Sequence, residues 1–132
     1  GKLDTNNLHL GYSSPNLRHA TDLISRIDKK RARDVMAFYV DLNKCFAELN
    51  RVVKKGGFLC MVVGNRTVKG IQLPTDEIVA DFGKHVGFRH IETIIRKIPN
   101  KRMPSKNSPT NKAGELGSTM TEEYIVLMEK VK

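Results

Sequence analysis

The chain has 132 residues and a mass of 14.9 kDa, enough for one hydrophobic core and too little for two ordinary domains. Hydrophobic residues make up 39% and charged residues 28%, a balance that favours folding over disorder. Lysine and arginine number 23 against 14 acids, a net charge of +9 that suits an anionic partner such as nucleic acid, or else a merely basic surface. Two cysteines without CxxC spacing and four scattered histidines (His9, His19, His85, His90) indicate no metal site. Cys45 and Cys60 read as reduced, structural thiols acting as small hydrophobes. No apolar run approaches the roughly 20 residues a membrane span needs, and the polar amino terminus lacks a signal-peptide core. A cytoplasmic protein with no membrane association is the expectation.

Residues 1–16 are polar and turn-rich, with no period. Leu17–Ile27 is expected to form a short helix, and residues 1–30 together an irregular amino-terminal segment. From about Lys30 to Gly56 runs the strongest helical pattern, with Val35, Phe38, Tyr39, Leu42, Cys45, Phe46, Leu49, Val52 and Val53 recurring at three and four. Its apolar stripe is expected to pack on a sheet, with Phe38 and Tyr39 in the core and a left-handed cap at Gly56. Phe58–Val63 is an unbroken apolar run, the pattern of a central strand covered on both faces. It stops at Gly64-Asn65-Arg66, and in open α/β sheets ligands sit beyond the carboxyl ends of strands. Asn65 and Arg66 are therefore candidate binding residues.

Thr67–Pro74 reads as a loop. Pro74-Thr75-Asp76-Glu77 opens a helix with acids at its positive end, and Gly87 closes it. Phe88–Ile98 reads as a strand, with Ile91, Thr93 and Ile95 opposite Glu92, Ile94 and Arg96. Residues 99–119 form a connection far longer than the usual two to six residues. This stretch carries Lys101, Arg102, Lys106 and Asn107, side chains able to hold phosphates and pair with base edges, or to form a solvated loop. Tyr124–Val131 is the last strand. The usual catalytic constellations are missing: no GxGxxG, Walker loop, GxSxG elbow or HExxH helix.

The order helix, strand ending in a polar turn, helix, strand, loop and terminal strand resembles the carboxyl half of class I S-adenosylmethionine-dependent methyltransferases. Local text sharpens it. Arg33-Asp34-Val35-Met36-Ala37-Phe38-Tyr39, Lys55-Gly56-Gly57-Phe58, Val63-Gly64-Asn65-Arg66, Val86-Gly87-Phe88, Arg96 to Pro104 and Thr119-Met120-Thr121-Glu122-Glu123 are similar to DNA amino-methyltransferases of restriction-modification systems. These methylate N4 of cytosine or N6 of adenine. The resemblance spans about Arg31 to Lys130.

It implies an α/β fold, the carboxyl half of a Rossmann-like sheet with flanking helices and a terminal hairpin-like strand pair, with residues 31–132 as a partial methyltransferase domain. It also implies DNA as partner, through Asn65, Arg66, Lys101, Arg102, Lys106 and Asn107. The glycine-rich turn for S-adenosylmethionine and the catalytic Asp/Asn/Ser-Pro-Pro-Tyr/Phe motif are not in this chain, and Ser14-Pro15-Asn16 is a superficial echo of the latter. The expectation is a fragment or one subunit of a split enzyme, inactive alone, whose cofactor is bound mainly by an amino-terminal half or partner subunit. Self-association through an exposed sheet edge follows. A tRNA methyltransferase fragment and a non-enzymatic nucleic-acid-binding module are the competing readings.

Overall fold

The computed structural model describes residues 13–98, 106–107, 117–118 and 122–132. Helix α1 spans Pro15–Ile27; Ser14, fully buried, accepts from the Leu17 amide and caps it. Asp28 separates it from α2, Lys29–Val52, and caps that helix by accepting from the Arg31 amide. Strand β1 is Phe58–Val63, and a small hairpin follows, β2 (Thr67–Val68) and β3 (Ile71–Gln72). Helix α3 is Thr75–Val86 and strand β4 Phe88–Lys97. The two-residue strands β5 (Lys106–Asn107) and β6 (Gly117–Ser118) pair with each other, and β7, Glu122–Lys130, completes the chain.

The main sheet has the order β1-β7-β4, and both pairings are antiparallel. β1 and β4 therefore run in the same direction, joined through α3, with β7 inserted between them. The fold is α/β, as expected, with its described strands paired antiparallel. α2 leads back toward the start of β1, so its amino end lies at the carboxyl end of β1. At the opposite end Lys130 donates its ammonium to the carbonyls of Asn50 and Val53, satisfying the last turn of α2.

One face of the sheet makes the core. Leu59, Met61 and Val63 stand in register with Met128, Val126 and Tyr124. Over them lie Ile78, Val79 and Phe82 of α3, Val35, Tyr39 and Phe46 of α2, and Leu17 and Ile24 of α1. The rings of Tyr39 and Phe46 both meet Phe82 edge-on, at centroid separations of 6.4 and 6.0 Å. Gly83 is where α3 presses on β7: a Cβ there would collide with the buried Met128 sulfur. Gly87 ends α3 in the left-handed region, at φ 114°.

Several expectations need correction. β1 is an edge strand covered on one face only: Phe58 is 61% and Val62 58% exposed, and Cys60 is exposed too. An unbroken apolar run requires cover on both sides, and the described residues supply it on one. Cys45 is likewise a free, exposed thiol rather than a small core residue. Phe38 is 55% exposed, because Ala32, Val35, Tyr39 and Phe46 set the buried line of α2 and Phe38 falls beside it. α2 ends at Val52, and Gly56, left-handed as expected, lies in the turn beyond the helix. The presumed loop 67–74 contains the β2–β3 hairpin. In β4 a bulge between His90 and Glu92 shifts the alternation, so His90, Thr93 and Ile95 share the Met128–Val126–Tyr124 face and Ile91 is exposed. No described helix is long and apolar enough to cross a membrane.

Candidate functional site at the carboxyl end of the sheet

Beyond Val63 the chain turns through Gly64, Asn65 and Arg66 into the β2–β3 hairpin. Lys69 and Gly70 at its tip both take positive φ, 52° and 78°, the backbone of a two-residue type I′ turn. The Leu73 amide then donates to the Arg66 carbonyl at 2.8 Å, returning the chain to its starting point. This closure sets α3 beside the end of β1.

Asn65 ties the two together. Its Nδ2 donates to Asp76 Oδ1 at 2.8 Å, and its Oδ1 accepts from the Asp76 amide at 3.2 Å. Pro74, at the cap position of α3, offers no side-chain acceptor, so the Asn65 carbonyl satisfies an amide the local sequence leaves open. Beneath this pair Tyr39 and Thr75 hydroxyls meet at 2.8 Å in a buried bond. Burial pushes the Tyr39 phenol above its ordinary value, partly offset by the Thr75 bond and the nearby Arg66 charge. On β7, Tyr124 donates to Glu122 at 3.3 Å and is likewise raised, first by desolvation, then by the Glu122 charge and bond, then by Asp76. Both phenols stay protonated at neutral pH.

Arg66 is exposed and forms no ion pair among the described residues. Its guanidinium is thus open to an anion at the mouth of this end of the sheet. Of the other candidates, Lys106 and Asn107 lie in β5, paired on the backbone with Ser118 and Gly117. Lys101 and Arg102 lie outside the described residues. Asn65 and Arg66 are thus brought together, with Asn65 committed to α3 and Arg66 facing solvent. Asp76, Thr75 and Tyr39 complete the arrangement; ties reaching 11 and 36 residues along the chain leave no local pattern to read. No nucleophile paired with a base is found here among the described residues. The chemistry on offer is anion binding.

Over 133 aligned residues, 98% of this chain is 48% identical to the Type II methyltransferase M.MvaI of Kocuria varians. The chain is similar to part of a Type II methyltransferase. It spans about 29% of that relative's length. No protein-family model and no solved structure matches it.

Proposed function

We propose that this chain is part of a restriction-modification DNA methyltransferase that transfers a methyl group from S-adenosylmethionine to an exocyclic nitrogen of cytosine or adenine. Its share of the work is to hold DNA at the carboxyl end of the sheet. The observation that carries this is 48% identity sustained through 98% of the chain to a Type II methyltransferase. The element order α2, β1, α3, β4, β7 is also the one on which the resemblance to a Rossmann-like class I methyltransferase sheet rests.

The amino end of α3, beside the candidate site, does not fit the cofactor. S-adenosylmethionine carries a carboxylate that needs amide donors, but α3 begins with Asp76 and Glu77, and Asn65 already occupies the Asp76 amide. The cofactor would be held by sequence outside this chain, and the residues here act on the nucleic acid. Arg66, exposed and unpaired among the described residues, would contact phosphate, with Asn65 keeping its loop in place. Lys101, Arg102 and Lys106 would add phosphate contacts and Asn107 a base-edge contact.

The test is methyl transfer from tritiated S-adenosylmethionine by the gene product that carries this chain, offered unmethylated duplex DNA or tRNA. Label in N4-methylcytosine or N6-methyladenine of the duplex is expected. Label confined to tRNA, or none with either acceptor, would overturn the proposal.

A further inference from the structure

We propose that the corner between α1 and α2, with the tip of the β2–β3 hairpin, is a second cationic surface for duplex DNA, gripping phosphates through Arg26, Lys29, Lys30 and Arg33. This rests on DNA being the substrate. From Arg26 to Arg33, five of eight residues are basic (Arg26, Lys29, Lys30, Arg31 and Arg33) and one, Asp28, is acidic. Arg26, Lys29, Lys30 and Arg33 are exposed and form no ion pair among the described residues. Lys29 and Arg33 stand one turn apart on one face of α2, with Lys30 beside them.

Helix energetics account for Arg26, a cation in the last turn of α1, but not for Lys29, Lys30 and Arg33. α2 has no acid in its first turn and opens on Lys29-Lys30-Arg31, cations at the positive end of its dipole. α3 in the same molecule follows the favourable rule, with Asp76 and Glu77 in its first turn and Lys84 and His85 in its last. Cations held where they disfavour the helix have a natural use in binding an external anion. The helix-end amides are not the site, because Asp28 already accepts from the Arg31 amide.

The hairpin completes the surface. Lys69 at its tip brings its ammonium to 3.5 Å from Asp28, offsetting the one acid between Arg26 and Arg33. Asp22 and Asp34 flank the patch on the exposed surface, and neither pairs with its cations. Because the amino end of α2 lies at the carboxyl end of β1, the patch and Arg66 occupy the same end of the molecule. A duplex engaging both would shed condensed counterions into solution as each phosphate is neutralised, making affinity steeply salt-dependent.

The experiment is fluorescence anisotropy of this chain with a labelled duplex over a sodium chloride series. The triple variant Lys29→Gln/Lys30→Gln/Arg33→Gln is compared with Lys54→Gln/Lys55→Gln/Lys84→Gln, an equal charge change at the opposite end. Expected for the first triple is a slope of log affinity on log salt shallower by about 2.7, from about 0.9 per phosphate contact. Its Tm should hold or rise, because a dipole repulsion has been removed, and the second triple should keep the wild-type slope. Equal slopes for wild type and first triple, or equal losses in both triples, would overturn the surface and leave the methyltransferase reading standing. Wild type that fails to bind duplex at low salt would also overturn the surface, whereas the methyltransferase reading falls only with the methyl-transfer assay.

Discussion

On one face of the sheet Val126 and Met128 are fully buried beneath the helices; on the other, Phe58, Val62 and Ile94 are 61%, 58% and 45% exposed. The covered face is apolar throughout its buried centre, whereas the open face is apolar in the middle and charged toward its ends, where Arg89 pairs with Glu129 and Arg96 with Glu123. Cys60 stands opposite Leu127, and Val62, Ile125 and Ile94 line up across all three strands. The larger difference lies in cover: α1, α2 and α3 all pack on one side, and among the described strands β1 presents an unpaired edge. A sheet with an apolar patch left on its open face, and one layer of helices on the other, has the pattern of a structure that is finished by something else.

That contrast can be broken by mutation. Phe82→Ala, which empties the space between the rings of Tyr39 and Phe46, should cost about 3–5 kcal/mol in urea unfolding. Val62→Ala on the open face should cost well under about 1 kcal/mol, since its side chain leaves water only in part. Equal losses at the two positions would erase the distinction between the faces. Gly83→Ala sharpens it from the helix side. Its methyl gains helix propensity but must displace the buried Met128 sulfur, a net loss of about 1–2 kcal/mol, visible as a lowered urea midpoint.

Smaller effects belong to the carboxyl end of the sheet. Asn65→Ala removes two bonds to Asp76 and should cost about 1 kcal/mol in the same assay, with weaker DNA binding as the Arg66 loop loosens. Unchanged stability would mean that the tie does not organise the site. Arg102→Ala should leave stability unaltered and make the salt slope of DNA binding shallower by about 0.9. Smallest is the acid response of the α1–α2 corner. The Asp28 carboxyl is held below its ordinary 3.8, chiefly by the Arg31 amide and further by Lys69. A depressed folded-state value means stability present above pH 3.8 and lost as the pH falls through the folded value. Asp28→Asn, which can still cap, should therefore lose less helical circular dichroism than wild type between pH 5 and pH 2.5.

Much of this molecule was legible in its residues where one periodic face meets one buried surface. The Val35–Tyr39–Phe46 stripe of α2 and the Pro74 to Gly87 span of α3 follow directly from spacing and end signals. The errors share a cause. Phe58–Val63 reads as a central strand because six apolar residues in a row need two covers, and nothing in the run says whether both lie nearby. The bulge beside Ile91 is invisible to an alternation count, which assumes an unbroken pleat. The β2–β3 hairpin turns on Lys69-Gly70, a pair lacking the asparagine or aspartate that usually marks such turns. In the candidate site, Asn65 and Arg66 could be placed by strand direction alone, but not the division of labour between them. That depends on Asp76, a neighbour only after folding.

Sedimentation velocity of this chain over a range of concentrations, beside Phe58→Lys/Val62→Lys, tests the half-covered sheet most directly. Wild type should sediment faster as concentration rises, its open face and β1 edge finding one another, while the variant remains a folded monomer. A wild type that stays a stable, monodisperse monomer throughout would contradict the account.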